Sequence, residues 1–254
     1  MSTTKLTLEY DGSGFAGWAA QPGLKTVQGE LEWGLETVLR HPVKTTVAGR
    51  TDRGVHAWGQ VVSYEGNPPR LASINAITDS KLTVLSAESV PDGFNARCDA
   101  LSRTYCYRIL LRKTPSALES KRALWWPYPC DRDALDACAS ALIGTKNFTA
   151  FTPTQTTHVR FERDIFKSEW RDYGDVIEFW IEADAFMRHM NRILIGTMLQ
   201  VAGGRRSLES FCKLLMGQSR EFSGPTAPPF GLYFAGASYK VDGDATTNNV
   251  CRFS

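Results

Sequence analysis

Apolar and polar positions alternate from Leu6 to Tyr10, the period of a half-buried strand, and the segment ends in the turn signal Asp11-Gly12-Ser13-Gly14. Thr26 then offers a helix N-cap, and Val27, Leu31, Leu35 and Val38 follow at helical spacing with charges between them. From Val47 to Tyr64 the pattern predicts a short strand, a glycine-bounded loop and a second strand over Gln60–Tyr64. Leu82–Val90 and Arg103–Leu111 are further strand candidates. In the second of these Tyr105, Tyr107 and Ile109 share one face, because side chains alternate along a strand. From about Lys113 to Cys130 the periodicity is broken by Pro115, Pro127 and Pro129, which places a connection between two halves there.

Beyond that connection, Asp131 or Asp133 caps a helix carrying Leu135, Cys138 and Leu142 and stopped by Gly144. Ile165–Arg171 and Val176–Ala183 predict a hairpin around Asp172-Tyr173-Gly174-Asp175. A helix is predicted over Phe186–Val201, with Phe186, Met190, Ile193, Thr197 and Val201 along one face and Gly203-Gly204 at its end. Ser207–Met216 predicts another helix, capped by Ser207 and closed by Gly217, and Leu232–Tyr239 a last strand. This order implies an α+β protein in which each of two halves, 1–112 and 113–254, sets helices on a mainly antiparallel sheet.

Length and composition add limits. A chain of 254 residues with 43% hydrophobic residues can bury a real core as one large domain or two modest ones. The formal net charge is only +2, so a nucleic-acid partner would require Lys and Arg to be sorted onto one face. The cysteines, Cys98, Cys106, Cys130, Cys138, Cys212 and Cys251, form no CxxC pair and have no His at ligand spacing, so reduced thiols are expected rather than a metal site or a disulfide framework. Met1 to Lys5 lead directly into the first strand without a signal-like apolar stretch, and no apolar run is long enough to span a membrane. A cytoplasmic location is therefore expected. GxSxG, Walker and GxGxxG patterns do not occur, and no cofactor is expected.

Four places carry candidate chemistry. Asp52 lies in a loop with Gly49 and Gly54 on either side and Arg50 and Arg53 flanking it. Such arginines favour an ionised carboxylate, able to act as nucleophile or base, while an Asx-turn residue holding its own loop satisfies the same local pattern. Arg188 and Arg192 lie one helical turn apart beside Asn191, as a carboxylate-holding pair or as an ordinary basic outer face. Tyr105 is either a core tyrosine or a ring that stacks on a base with a hydroxyl able to move a proton. The Tyr10–Gly14 segment is a poor match to the loop of aspartate-nucleophile phosphatases, because Glu9 stands where that chemistry needs Asp. His56 has no Ser or Cys nucleophile motif around it.

Taken in order along the chain, these pieces resemble one family. Gly49-Arg50-Thr51-Asp52-Arg53-Gly54-Val55-His56-Ala57 closely resembles the signature loop of the TruA family of tRNA pseudouridine synthases. Tyr10-Asp11-Gly12 with Phe15 and Gly17-Trp18, Val27-Gln28-Gly29-Glu30-Leu31-Glu32, Phe94-Asn95-Ala96-Arg97 and Ser102-Arg103-Thr104-Tyr105-Cys106-Tyr107 resemble further family segments. So do Phe148-Thr149-Ala150-Phe151, the Phe186–Arg192 stretch and Ala227-Pro228-Pro229-Phe230-Gly231-Leu232-Tyr233. The likeness covers nearly the whole chain. It departs at Arg53, where the family usually has a small residue, at Ala19 and Asn95 in place of a frequent Gln and His, and at Ile74–Asp79, which lacks a usual Leu-Pro.

The resemblance implies the pseudouridine synthase fold, two similar α+β halves with the active-site cleft between them. The first half would carry the Asp loop and the second would complete the cleft. It implies Asp52, Tyr105 and Arg192 as catalytic residues and Arg50, Arg53, Tyr105 and His56 as substrate-binding ones, with no metal and no cofactor. The implied activity is isomerisation of uridine in the anticodon stem-loop of tRNA, at tRNA positions 38, 39 and 40, by a homodimer. A non-catalytic RNA-binding protein of the same fold is the alternative, because sheet aromatics can stack bases without chemistry.

Overall fold

The computed structural model describes residues 2–240 and the backbone of Thr247–Asn248. In chain order the elements are β1 (Thr3–Tyr10), α1 (Val27–Leu39), β2 (Thr46–Val47), β3 (His56–Glu65), α2 (Leu71–Ile77), β4 (Leu82–Val90), β5 (Ser102–Leu110) and β6 (Leu124–Trp125). There follow α3 (Arg132–Leu142), β7 (Gly144–Asn147), β8 (Glu162–Tyr173), β9 (Val176–Ala183), α4 (Met190–Ala202), α5 (Leu208–Leu214), β10 (Leu232–Tyr239) and β11 (Thr247–Asn248). Helices and mostly antiparallel strands make the α+β class expected from the sequence.

The chain forms two compact units, one of residues 1–103 with 233–254, the other of residues 104–232. The sequence pattern sets the change of half at 112/113 and leaves the last strand in the second half. In the structure β10 instead pairs in parallel with β3, Tyr233 beside His56 and Phe234 beside Ala57, so the last strand is grouped with the first unit. That unit has strand order β4-β1-β3-β10. Antiparallel ladders join β1 to β3 (Leu6 opposite Val62) and to β4 (Leu6 opposite Ala87). Leu6, Leu8, Val61 and Val62 are buried, as are Leu31 and Leu35 of α1, and α1 starts where Thr26 accepts the Gly29 N–H, as its sequence predicts. The short helix α2 has no counterpart in the sequence reading: it has only seven residues, no side-chain cap and one buried side chain, Ile74.

The second unit has strand order β5-β9-β8-β7. The predicted hairpin is β8–β9, closing at Tyr173 opposite Val176 with Gly174 at φ 64°. Asp131, not Asp133, caps α3 by accepting the Ala134 N–H (3.1 Å), and Ser207 caps α5 in the same way through Ser210. Leu135, Cys138 and Leu142 of α3, Phe148, Phe151, Met198 of α4 and Phe211 of α5 are buried in this unit.

Helix α4 differs from its prediction at its start. The periodicity from Phe186 onward suggests a helix there, but His189 adopts a left-handed backbone (φ 61°) and the helix begins at Met190. A side chain with φ > 0 breaks the right-handed path, so Phe186 and Arg188 precede the helix and Arg188 does not share a helical face with Arg192. The rest of α4 is buried almost all round. A loop crosses it so closely that a Cβ at Gly196 would sit 1.9 Å from the Pro225 carbonyl oxygen, while the Gly224 N–H bonds Thr197 Oγ1 (3.0 Å). Gly196→Ala is therefore expected to destabilise the protein by about 1–3 kcal/mol, the usual penalty of overpacking, read as a lower urea midpoint at unchanged m-value.

Among the described residues no helix is long and apolar enough to cross a membrane. Cys98, Cys106, Cys130, Cys138 and Cys212 are unbridged, and Cys251 lies outside the described residues.

Candidate active site

The loop between β2 and β3 is tied down almost residue by residue. Val55 N–H donates to the Asp52 carbonyl (3.1 Å), and Gly54 at φ 81° turns the chain between them. Thr51 is held twice, its carbonyl accepting the Trp18 N–H (3.0 Å) and its hydroxyl meeting the Tyr10 hydroxyl at 2.8 Å. Gln60 Nε2 donates to the Gly49 carbonyl (2.8 Å). Arg103 Nε donates to the carbonyl of Ala48 just upstream (3.2 Å), and its Nη1 reaches Ala100 (3.0 Å).

These contacts explain the segment Tyr10-Asp11-Gly12…Gly17-Trp18 as the cradle of the loop. A Cβ on Gly12 would lie 2.0 Å from the Val55 carbonyl oxygen, so only glycine allows the two backbones to approach so closely. Gly12 N–H donates to His56 Nδ1 (3.1 Å), and the His56 ring stacks on Tyr233 at 4.7 Å. At 3% exposure His56 is part of the packed support of the loop. Asp52 is half-buried, while Arg50 and Arg53 on either side of it are exposed.

Asp11, the centre of the phosphatase comparison, is engaged otherwise. Its carboxylate accepts the Ser13 N–H (2.9 Å) and lies 3.2 Å from His56 Nδ1 and 3.5 Å from Lys81 Nζ. Burial pushes its carboxyl up, but the hydrogen bonds from Ser13, together with the positive charge of Lys81, outweigh that and hold it below the usual carboxylate range.

In the second unit Tyr105 of β5 is 8% exposed and meets Phe186 edge to face at 4.9 Å. Arg192 sits on the first turn of α4, where its Nε donates to the Ala227 carbonyl (2.8 Å) and its own carbonyl accepts the Ala227 N–H (2.9 Å). The neighbouring Pro228 carbonyl accepts the Tyr107 hydroxyl (2.8 Å), and a Cβ on Gly231 would strike the Tyr107 ring at 2.8 Å. The Ala227–Gly231 segment is thus a clasp that orients Arg192 and grips Tyr107. Burial pushes the Tyr107 hydroxyl far above its ordinary range, against the opposing charge of Arg192, so it remains a hydrogen-bond donor.

The first unit therefore brings Arg50, Asp52, Arg53 and His56 onto one anchored loop, and the second sets Tyr105 and Arg192 on a strand and a helix. The residue pattern does not mark Gln60 or the Ala227 carbonyl as supports. Both lie far in sequence from what they hold, and only Gln60, four residues after His56 on a buried strand, carried a signal as a polar side chain in an apolar run.

Comparison with known proteins specifies the class. A profile of the tRNA pseudouridine synthase family matches residues 138–240. The tRNA pseudouridine synthase A of Paraburkholderia phytofirmans is 37% identical over 94% of this chain and 90% of its own length. That of Paraburkholderia xenovorans is 38% identical over the same shares, and that of Bartonella tribocorum 36% identical over 94% of this chain and all (100%) of its own. The chain belongs to the tRNA pseudouridine synthase A family.

Proposed function

We propose that this protein isomerises uridine to pseudouridine in the anticodon stem-loop of tRNA, with Asp52 as the catalytic carboxylate. The observation that supports this most directly is the Asp52 loop, whose backbone is anchored at Gly49, Thr51 and Val55. A preorganised carboxylate needs no rearrangement when the substrate arrives.

The reaction breaks the N1–C1′ bond, rotates the base and forms C5–C1′. The C5 proton leaves to solvent and N1 gains one, so atoms balance without oxidant or hydrolysis. An ionised Asp52 serves each route to this outcome, whether by attack on C1′, attack on C6 or removal of the C2′ proton. Arg192 would orient the carboxylate, and Tyr105 would pack on the flipped base. Arg50 and Arg53 would contact the RNA around that nucleotide, offsetting a flipping cost of roughly a few kcal/mol. His56 would contribute by ordering the loop from below. The protein would act as a homodimer in the cytoplasm.

Release of tritium from tRNA labelled at uridine C5 tests this reading against that of a non-catalytic RNA-binding protein. Stoichiometric release, falling as salt rises because phosphate contacts are screened, is expected. Tight binding of the same tRNA without release would leave only the binding protein.

A further inference from the structure

We propose that Tyr10 and Gln60 are positioning residues that set the Asp52 loop through Thr51 and Gly49. The inference rests on the reading of Asp52 as the catalyst. Both side chains are buried, Tyr10 at 3% and Gln60 at 0% exposure. They come from different strands, β1 and β3, and their side chains meet through the Gln60 Nε2–Tyr10 hydroxyl contact beside a shift in the β1–β3 register between Leu8 and Tyr10.

The partners of Gln60 fix the orientation of its amide. Gln60 Oε1 accepts the Val61 N–H (3.2 Å), which leaves Nε2 to donate to the Gly49 carbonyl (2.8 Å) and to the Tyr10 hydroxyl (3.3 Å). The Tyr10 hydroxyl accepts from Gln60 and shares a hydrogen bond with the Thr51 hydroxyl at 2.8 Å. Burial raises the Tyr10 pKa to about 12, so the hydroxyl stays neutral across the physiological range. Gly49 and Thr51 bracket Arg50, and Thr51 immediately precedes Asp52. The chain from Gln60 through Tyr10 to Thr51 thus controls where the backbone delivers both the carboxylate and its neighbouring arginine. A buried phenol in that place supplies apolar packing as well, through its tilted contact with Trp18 at 6.1 Å. Phenylalanine would keep that packing and lose only the hydroxyl.

The test measures kcat and KM for tritium release from full-length tRNA, with thermal unfolding, for the intact protein and for Tyr10→Phe, Thr51→Val, Thr51→Ser, Tyr10→Phe/Thr51→Val and Asp52→Asn. Tyr10→Phe and Thr51→Val are each expected to lower kcat roughly 10- to 100-fold, the range that a small misplacement of a reacting group costs, with KM nearly unchanged. Thr51→Ser keeps the hydroxyl and is expected to retain kcat, and the double variant to be no worse than the poorer single one, because both remove the same link. The inference is overturned by a Tyr10→Phe enzyme of undiminished kcat, by a change confined to KM, or by Thr51→Ser losing as much as Thr51→Val. Should Tyr10→Phe not fold, the Thr51 pair decides alone. Turnover by Asp52→Asn would remove the catalyst assignment and this inference with it, whereas an inactive Asp52→Asn beside a fully active Tyr10→Phe would overturn the positioning role only.

Discussion

Asp52→Asn is expected to abolish pseudouridine formation on tRNA, a fall in kcat of at least roughly ten-thousand-fold, the upper range for a single acid–base group. The substitution is isosteric and removes the negative charge while keeping the shape. The ties at Gly49, Thr51 and the Asp52 carbonyl, made by Gln60, Tyr10, Trp18 and Val55, do not involve the Asp52 carboxylate. Unfolding temperature and tRNA affinity are therefore expected to stay near those of the unmodified enzyme, and both are measured beside the tritium assay. A loss of turnover with binding intact isolates the chemical role. Turnover retained at more than a small fraction of the original rate would end the assignment of Asp52, whatever the rest of the family likeness.

Arg192→Ala is expected to lower kcat roughly 100- to 1000-fold, the scale found on removing one preorganised charge or donor from a reacting centre. The backbone contact between the Ala227 N–H and the Arg192 carbonyl survives this change, so the start of α4 remains pinned and the protein folds. The loss is expected in kcat with KM for tRNA nearly unchanged, and a change confined to KM would leave Arg192 a role in binding alone. Arg192→Lys keeps the charge but not the planar fork and is expected to lie between the two.

The regular elements were largely legible in the chain because their signals are local. Thr26 with Val27, Leu31 and Leu35 announces α1, and the glycine at 174 between two alternating runs announces the β8–β9 hairpin. Even the limits of the last strand, Leu232–Tyr239, agree with its apolar run. Signals that depend on a single backbone angle were not legible. Phe186 continues the helical apolar spacing, yet the left-handed turn at His189 excludes it and Arg188 from α4, and spacing carries no information on the sign of φ. Helix α2 escaped because one buried residue, Ile74, makes no periodicity.

For the site, the sequence alone singled out Asp52 as the candidate carboxylate, since nine consecutive residues around it and ordered matches along the chain resemble one family. Local chemistry alone favoured a turn residue holding its own loop at Asp52. Tertiary structure decided what holds it. Tyr10 lies 41 positions from the Thr51 hydroxyl it meets, and Ala227 lies 35 positions from the guanidinium it orients. Tertiary structure also paired β10 in parallel with β3, grouping the last strand with the first unit. Partners so far apart in the chain share no local propensity or period, and they meet only when burying apolar faces makes every buried polar group find a partner within the fold.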